Sequence, residues 1–398
     1  MQKFSIFNSQ FSIKKLPLLP RVIIAIALGV LLGQVLPLGV VKIFVTLNAI
    51  FGQFLGFMIP LIIVGLVTPA IADIGNGAGR MLLVTVAIAY VDTVLAGLLA
   101  YGTGSWLFPT MIEETSHVAA MQKPTDIEPF FNIQIPALFD VMSGLVFAFL
   151  MGICIAYSQL PLLRNLFTEG RQVIERVISK VIIPLLPIYI FGIFLSMTHT
   201  GQVYSIMLMF AQIILVIFAL HLFILLYEFC IAGLVTRRNP FRLLWTMLPA
   251  YLTALGTSSS AATIPVTLKQ TEANGVSRGV ASFVVPLCAT IHMSGSAMKI
   301  TACALAICLM GGMSHGLGLF LHFILMLAVV MVAAPGVPGG AIMAALAPLA
   351  SILGFDAEAQ ALIIALYIAM DSFGTACNVT GDGAIAVIIE QIFRKEAP

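Results

Sequence analysis

The sequence predicts an all-α integral membrane protein with eight transmembrane helices and two re-entrant helical hairpins. Three observations lead there. First, the 398-residue chain is 60% hydrophobic and only 9% charged, whereas soluble domains carry about 25% charged residues. Second, no Asp, Glu, Lys or Arg occurs between Lys180 and Glu228, or between Lys299 and Asp356. Each gap exceeds the roughly 20 residues that cross a bilayer once. Third, two apolar segments, 242–268 and 317–352, are broken midway, at Gly256–Ser260 and at Ala334–Gly340. Neither half crosses a bilayer as a straight helix. Non-helical backbone at that depth survives only inside protein or along a cavity, so each segment reads as a hairpin that enters and turns back.

The spanning helices are expected at 21–44, 47–72, 81–108, 136–157, 171–197, 204–235, 279–309 and 357–393. The basic residues support this order. Of 19 Lys and Arg, only Lys42 and Lys123 fall in predicted outer loops, and Lys299 falls within a helix. The rest become cytoplasmic if the first hairpin enters from inside and the second from outside. Lys3, Lys14, Lys15 and Arg21 precede the first apolar run, which is expected to be a retained helix with no clear cleavage site. The expected location is the plasma (inner) membrane, multi-pass, with both termini cytoplasmic. The outer loop near 110–130 is acidic, with Glu113, Glu114, Asp126 and Glu128. All six cysteines lie in apolar segments without CxxC spacing and read as small buried hydrophobes. The net charge of +2 points to no nucleic-acid partner.

Four polar residues of the last helix, Asp371, Thr375, Asn378 and Asp382, share one stripe. At about 100° per residue they fall within roughly 60° of one another. A carboxylate at the bilayer centre costs about 2.5–3.5 kcal/mol on insertion scales, and this helix carries two. Such groups persist where they face a protein interior and hold something, so the stripe points to an ion or polar-solute site. A weak internal repeat surrounds it. Each broken segment precedes a helix with mid-helix polar residues, His292–Ser296 in one and the aspartate stripe in the other. The two units enter from opposite sides, as inverted repeats do, and such repeats place sites near the midplane. Half-helix N-termini at the tips can bind a carboxylate, and carbonyls there can ligate Na⁺.

Several ordered motifs resemble the dicarboxylate/amino acid:cation symporters, the glutamate transporter homologues. They are Arg237–Pro240 (RRNP), Thr257–Thr267 (TSSSAATIPVT), Pro286–Ala297 (PLCATIHMSGSA), Gly336–Gly340 (GVPGG) and Asn378–Asp382 (NVTGD). The similarity is strong over 235–393 and looser before that. The resemblance implies a homotrimer with an elevator mechanism. Residues 1–235 would be mainly scaffold, with helices 3 and 6 packing on the moving part, and 236–398 the core transport domain. It implies substrate contacts at Ser258, Ser259, Ser260, Ser296, Val337, Gly339, Asp371, Thr375 and Asn378, with Asp371 receiving an amino group. It implies cation ligands at Asn378, Asp382, Tyr90, Thr93, Thr290 and His292. The coupling ion would be Na⁺ or H⁺, with no organic cofactor.

The departures carry information. Acidic-substrate relatives have an arginine where this chain has Gly374, and 371–393 contains no other. A neutral amino acid, drawn in by a Na⁺ or H⁺ gradient, is therefore the expected substrate, with an acidic amino acid or C4-dicarboxylate as the alternative. The family's Asn-Met-Asp-Gly-Thr run reads His292-Met-Ser-Gly-Ser296 here, which removes a sodium-binding carboxylate. Asp92 and His292 are candidates for a proton or substitute cation site, or for packing partners only. Lys299 is either a fixed cation or a structural pair. Glu228 is expected near the inner interface, and His221 and His322 in helix packing.

An enzyme is not expected. An aspartyl protease needs two carboxyls that share a proton, and Asp371 and Asp382 stand about 16 Å apart along one helix. A channel is the other contrasting class. No GxxxxGK[ST] motif occurs, so transport would draw on an ion gradient.

Overall fold

The computed structural model describes residues 18–75, 80–114, 127–139, 141–158, 160–201, 203–334, 336 and 338–394. The expectations for the first 17 residues, Lys123, Asp126, Val337 and Lys395 lie outside them. Among the described residues all regular structure is helical. The helices are α1 (Leu18–Gly33), α2 (Leu38–Gly75), α3 (Arg80–Glu114), α4 (Val141–Ser158), α5 (Pro161–Val177), α6 (Ile183–His199), α7 (Val203–Thr236) and α8 (Pro240–Thr257). They continue with α9 (Ser260–Ala273), α10 (Arg278–Ile291), α11 (Ser294–Met310), α12 (Leu317–Met331), α13 (Gly340–Ser351), α14 (Ala357–Ala369) and α15 (Asp371–Arg394). A π-helical turn, Ile178–Ile182, joins α5 to α6.

Several boundaries differ from the sequence expectation. The first helix ends at Gly33 rather than 44, because residues 34–36 form a turn and Pro37 immediately precedes α2. Pro tolerates that place since an N-terminal N–H has no helical partner. The fifth expected helix begins ten residues earlier in an amphipathic stretch, α5, whose residues are all at least partly exposed. The seventh and eighth each divide in two. His292 is extended (φ −102°, ψ 109°) between α10 and α11, and Met370 interrupts the run between α14 and α15. Hydropathy does not register such breaks because each run as a whole stays apolar, despite the polar residues that follow His292 and Met370.

Six helical runs among the described residues are long and apolar enough to cross a bilayer: Leu38–Ala72, Arg80–Ile112, Pro161–His199, Met207–Thr236, Arg278–Met310 (broken at His292) and Asp371–Phe393. The helix α1 is apolar but shorter, as is the Val146–Ser158 part of α4. Burial separates these runs. In the most apolar window of Arg278–Met310, 94% is buried, and in that of Asp371–Phe393 89%, against 28% for Arg80–Ile112. The two polar-bearing runs therefore form the interior.

Packing divides along the chain. The helices α1, α2, α4 and α6 pack on one another, α1 against α6 and α2 against α4 and α6. The helix α3 packs on α11, and α15 packs on α7, α8, α9, α10 and α11. Caps fix the broken segments. Asn239 Oδ1 accepts from the Phe241 and Arg242 amides at 2.9 and 3.2 Å, with Pro240 in the first turn of α8. Ser258 ends α8 in the left-handed region (φ 50°), and the Ser259 side chain caps α9. Gly339 precedes α13 with φ 74°, a conformation that suits glycine.

The α11–α15 crossing is close because Gly295 has no side chain. A Cβ there would stand 2.7 Å from the Cys377 Cβ and 2.9 Å from the Gly374 carbonyl oxygen. Gly295→Ala should cost about 1–3 kcal/mol through overpacking and lower the melting temperature in detergent. Gly39→Ala, with open space around it, serves as the control. Equal melting temperatures for both variants would contradict this crossing.

Candidate functional site

The stripe becomes two polar stations on α15. The first lies at its start. Asp371 Oδ2 accepts from the Gly339 amide at 2.8 Å, so the loop before α13 is tied to the helix. Asp371 Oδ1 lies 3.7 Å from the Lys299 ammonium on α11. Ser258 Oγ meets Ser372 Oγ at 2.6 Å. Ser259 Oγ donates to the Gly336 carbonyl at 3.0 Å. The loops of both broken segments thus converge on residues 371–372. Ser260 opens α9 and is buried, as is Thr375, whose hydroxyl donates to the Asp371 carbonyl at 2.9 Å.

Lys299 is the part of this station that sequence reasoning left open. It is fully buried. Its ammonium lies 3.5 Å from the Tyr367 ring centroid and reaches the Met370 and Tyr367 carbonyls at 3.3 and 3.5 Å. A Cβ built on Gly374 would stand only 2.8 Å from it. The ammonium therefore borders the place where a side chain at 374 would begin. The absence of arginine from 371–393 does not leave the station without a fixed positive charge. Counting along one helix missed it because the cation comes from another.

Between the stations, Asn378 Oδ1 accepts from the Gly295 and Ser296 amides at 2.9 and 3.3 Å, and its amide donates to Ser296 Oγ at 3.1 Å. These amides sit in the first turn of α11, where no helical partner exists for them. Ser296 Oγ also meets the Tyr367 hydroxyl at 3.2 Å. The buried His221 lies with Nε2 3.3 Å from the Gly295 carbonyl, a packing role as expected. His322, by contrast, is exposed on α12.

The second station surrounds His292, which the break between α10 and α11 presents. Its Nδ1 lies 3.0 Å from Asp382 Oδ1 and its Nε2 2.8 Å from Asp92 Oδ2. The Tyr227 hydroxyl donates to Asp92 Oδ1. Glu228, expected near the inner interface, is instead buried here. Its Oε1 accepts from Ser294 at 2.9 Å and lies 3.9 Å from His292 Nε2. Residues apart by 90 and 200 positions meet, which no spacing in the sequence signals. Gly381 permits the approach, since a Cβ there would collide with Glu228 Oε2 and His292 Cε1.

Three expected cation ligands stand elsewhere or face their own helix. The Tyr90 hydroxyl donates to the Leu325 carbonyl on α12 at 3.3 Å. Thr93 donates to the Ala89 carbonyl and Thr290 to the Leu287 carbonyl, each at 2.8 Å. The structure brings together Asp382, His292 and Asp92 but does not bring Tyr90 to them.

The contact between Gly374 and Lys299 generates a test. Gly374→Arg should destabilise the chain, through both crowding and like charge, by about 1–3 kcal/mol. Shortening the lysine in a Gly374→Arg, Lys299→Ala pair should recover part of that loss. Melting curves of the two proteins check this, and no recovery in the pair would contradict the contact.

The comparisons bear on the whole arrangement. Residues 18–392 match the sodium:dicarboxylate symporter family. Excitatory amino acid transporter 1 of Rattus norvegicus is 31% identical over 264 residues, 65% of this chain and 48% of the relative. Excitatory amino acid transporter 3 of Homo sapiens is 36% identical over 164 residues, 41% of this chain and 31% of the relative. The chain thus spans about half the length, or less, of these curated relatives. With the match covering nearly its full length, the chain belongs to the sodium:dicarboxylate symporter family.

Proposed function

We propose that this chain is a secondary active symporter that takes up a neutral amino acid, driven by a Na⁺ or H⁺ gradient. The observation that carries the reading is the meeting of both interrupted segments at Asp371. A carboxylate at that meeting point suits an ammonium group. The serine hydroxyls and the N-terminal end of α9 suit a carboxylate. A zwitterion satisfies both.

The charge of the first station supports a neutral side chain. Asp371 and Lys299 together sum to zero, and a zwitterion adds nothing to it. The lysine donors already face two carbonyls and Asp371, which leaves no free donor for a side-chain carboxylate. One observation favours the second reading, an acidic amino acid or C4-dicarboxylate. The Lys299 ammonium borders Gly374, where acidic-substrate relatives carry arginine. A small rotation of the lysine would turn it towards such a group.

The coupling cation is placed at Asp382 and Asn378. Asp382 Oδ2 is buried without a hydrogen-bond partner among the described residues, and an oxygen donor of that kind suits Na⁺. Asn378 holds the first turn of α11 and reaches Ser296, so a cation beside it is linked mechanically to the substrate contacts. The two broken segments act as hairpins, with the 334–340 loop closing over the substrate. The core 236–398 moves with α3 and α7 against α1, α2, α4 and α6, in a homotrimer with both termini cytoplasmic. Those four helices pack chiefly on one another and meet the core mainly through α13 and α14, which supports this division.

Proteoliposome uptake tests the proposal. Neutral amino acids should accumulate under a Na⁺ or H⁺ gradient, and accumulation should stop when the gradient is collapsed. Asp371→Ala should abolish amino-acid binding while sparing cation binding at Asp382. Preferential uptake of aspartate, glutamate or succinate would select the second reading. No saturable uptake of any amino acid or carboxylate would overturn the symport assignment.

A further inference from the structure

Asp92, Glu228 and His292 each direct one ligand atom into a space where the three atoms lie within 4.8 Å of one another. They come from α3, α7 and the break before α11. We propose that these three residues form a binding site for a divalent first-row transition metal of the Zn²⁺ type, distinct from the coupling-cation place at Asp382.

Charge is the first argument. Asp92, Glu228 and Asp382 surround one imidazole inside the helical interior. Among the described residues no lysine or arginine pairs with them, since Lys299 pairs with Asp371. A single imidazole offsets at most one of three carboxylates. Burial demands neutrality, which protons on the carboxyls supply in part; with all three ionised, a divalent ion against Asp92 and Glu228 and a monovalent cation against Asp382 supply it in full.

The donor set is the second. Na⁺ takes oxygen ligands, whereas imidazole nitrogen with carboxylate oxygen suits Zn²⁺ and its neighbours. The His292 Nε2 separations to Asp92 and Glu228 oxygens, 2.8 and 3.9 Å, bracket the roughly 3.3 Å edge of a tetrahedral ion with bonds of about 2.0 Å. Small side-chain shifts equalise them. Three protein ligands leave one position open.

The surroundings are the third. Asp382 lies on Nδ1 of the same ring, and a carboxylate on the far nitrogen is how metal-binding histidines are held and oriented. With the ring proton on Nδ1, that contact leaves the Nε2 lone pair facing the two acids. Tyr227 fixes Asp92 from outside, and Ser294 fixes one Glu228 oxygen. The other, Oε2, is buried with no hydrogen-bond partner among the described residues. A cavity of about 290 Å³, walled by residues such as Val91, Leu95 and Ile385, reaches both Asp92 and Glu228 and provides an approach.

Metal content is read without transport, so this inference stands or falls independently of the symport reading. The full chain, purified in detergent and stripped with chelator, is titrated with Zn²⁺ and with Co²⁺. One Zn²⁺ per chain is expected, with a raised melting temperature, and Co²⁺ should give the visible absorption of a four-coordinate nitrogen–oxygen site. His292→Asn, Asp92→Asn and Glu228→Gln should each lose stoichiometric binding. Asp382→Asn should weaken it about 10–100-fold, as loss of a supporting carboxylate does. His315→Asn, altering an exposed histidine, should keep it. Absence of bound Zn²⁺ in the unaltered chain would overturn the proposal. So would a purely six-coordinate Co²⁺ spectrum, or binding by the His292→Asn and Asp92→Asn chains as tight as that of the unaltered chain. The Co²⁺ spectrum of the unaltered chain decides the matter even if a variant fails to fold.

Discussion

Charge buried between helices organises this molecule. Asp92, Glu228, Asp371, Asp382 and Lys299 all lie inside runs that cross an apolar layer, and each costs about 2.5–3.5 kcal/mol there if left alone. The partnering of these groups fixes which helices touch. Lys299 and Asp371, 3.7 Å apart, join α11 to α15. The Coulomb attraction at such a distance is about 4 kcal/mol at an effective dielectric of 20, and it offsets the desolvation of both groups. His292 joins α3 to α15 by standing between Asp92 and Asp382. Removing one member of either set would leave a buried charge uncompensated, which costs more than the pair itself contributes.

The interrupted backbone follows from the same constraint. A continuous helix keeps its amides and carbonyls to itself, and only a broken one offers them to a solute or ion. The first turn of α11 hands its amides to Asn378, the loop before α13 hands one to Asp371, and Ser259 closes on the Gly336 carbonyl. The two stations are therefore not separate. Asn378 contacts Gly295 and Ser296, and the same short segment lies between His292 on one side and Lys299, the partner of Asp371, on the other. Asn378 and the Gly295–Ser296 segment thus connect the two stations.

Much of this was legible in the sequence. The stripe from Asp371 to Asp382 follows from helical periodicity, and the two broken segments follow from clustered small and polar residues. His292 and Asp92 stand out as polar groups in apolar runs. The rest depended on distance in space. The cation opposite Asp371 comes from α11, so inspecting the neighbours of Gly374 along α15 found none. Glu228 read as an interface residue because Arg237 is close in sequence, while its actual neighbours are Ser294 and His292. The breaks at His292 and Met370 were hidden because each run as a whole is apolar. They matter because they turn His292 and Asp371 out of the regular helical register and into the interior.

The central claim is that cation and substrate are held by one connected network running through Asn378. Linkage measures it directly. The dissociation constant of a neutral amino acid is determined at increasing Na⁺ concentration and fixed pH, and that of Na⁺ with and without the amino acid. The account predicts that each tightens the other by the same factor, as equilibrium coupling requires. Affinities for the amino acid that do not change across the Na⁺ series would contradict it.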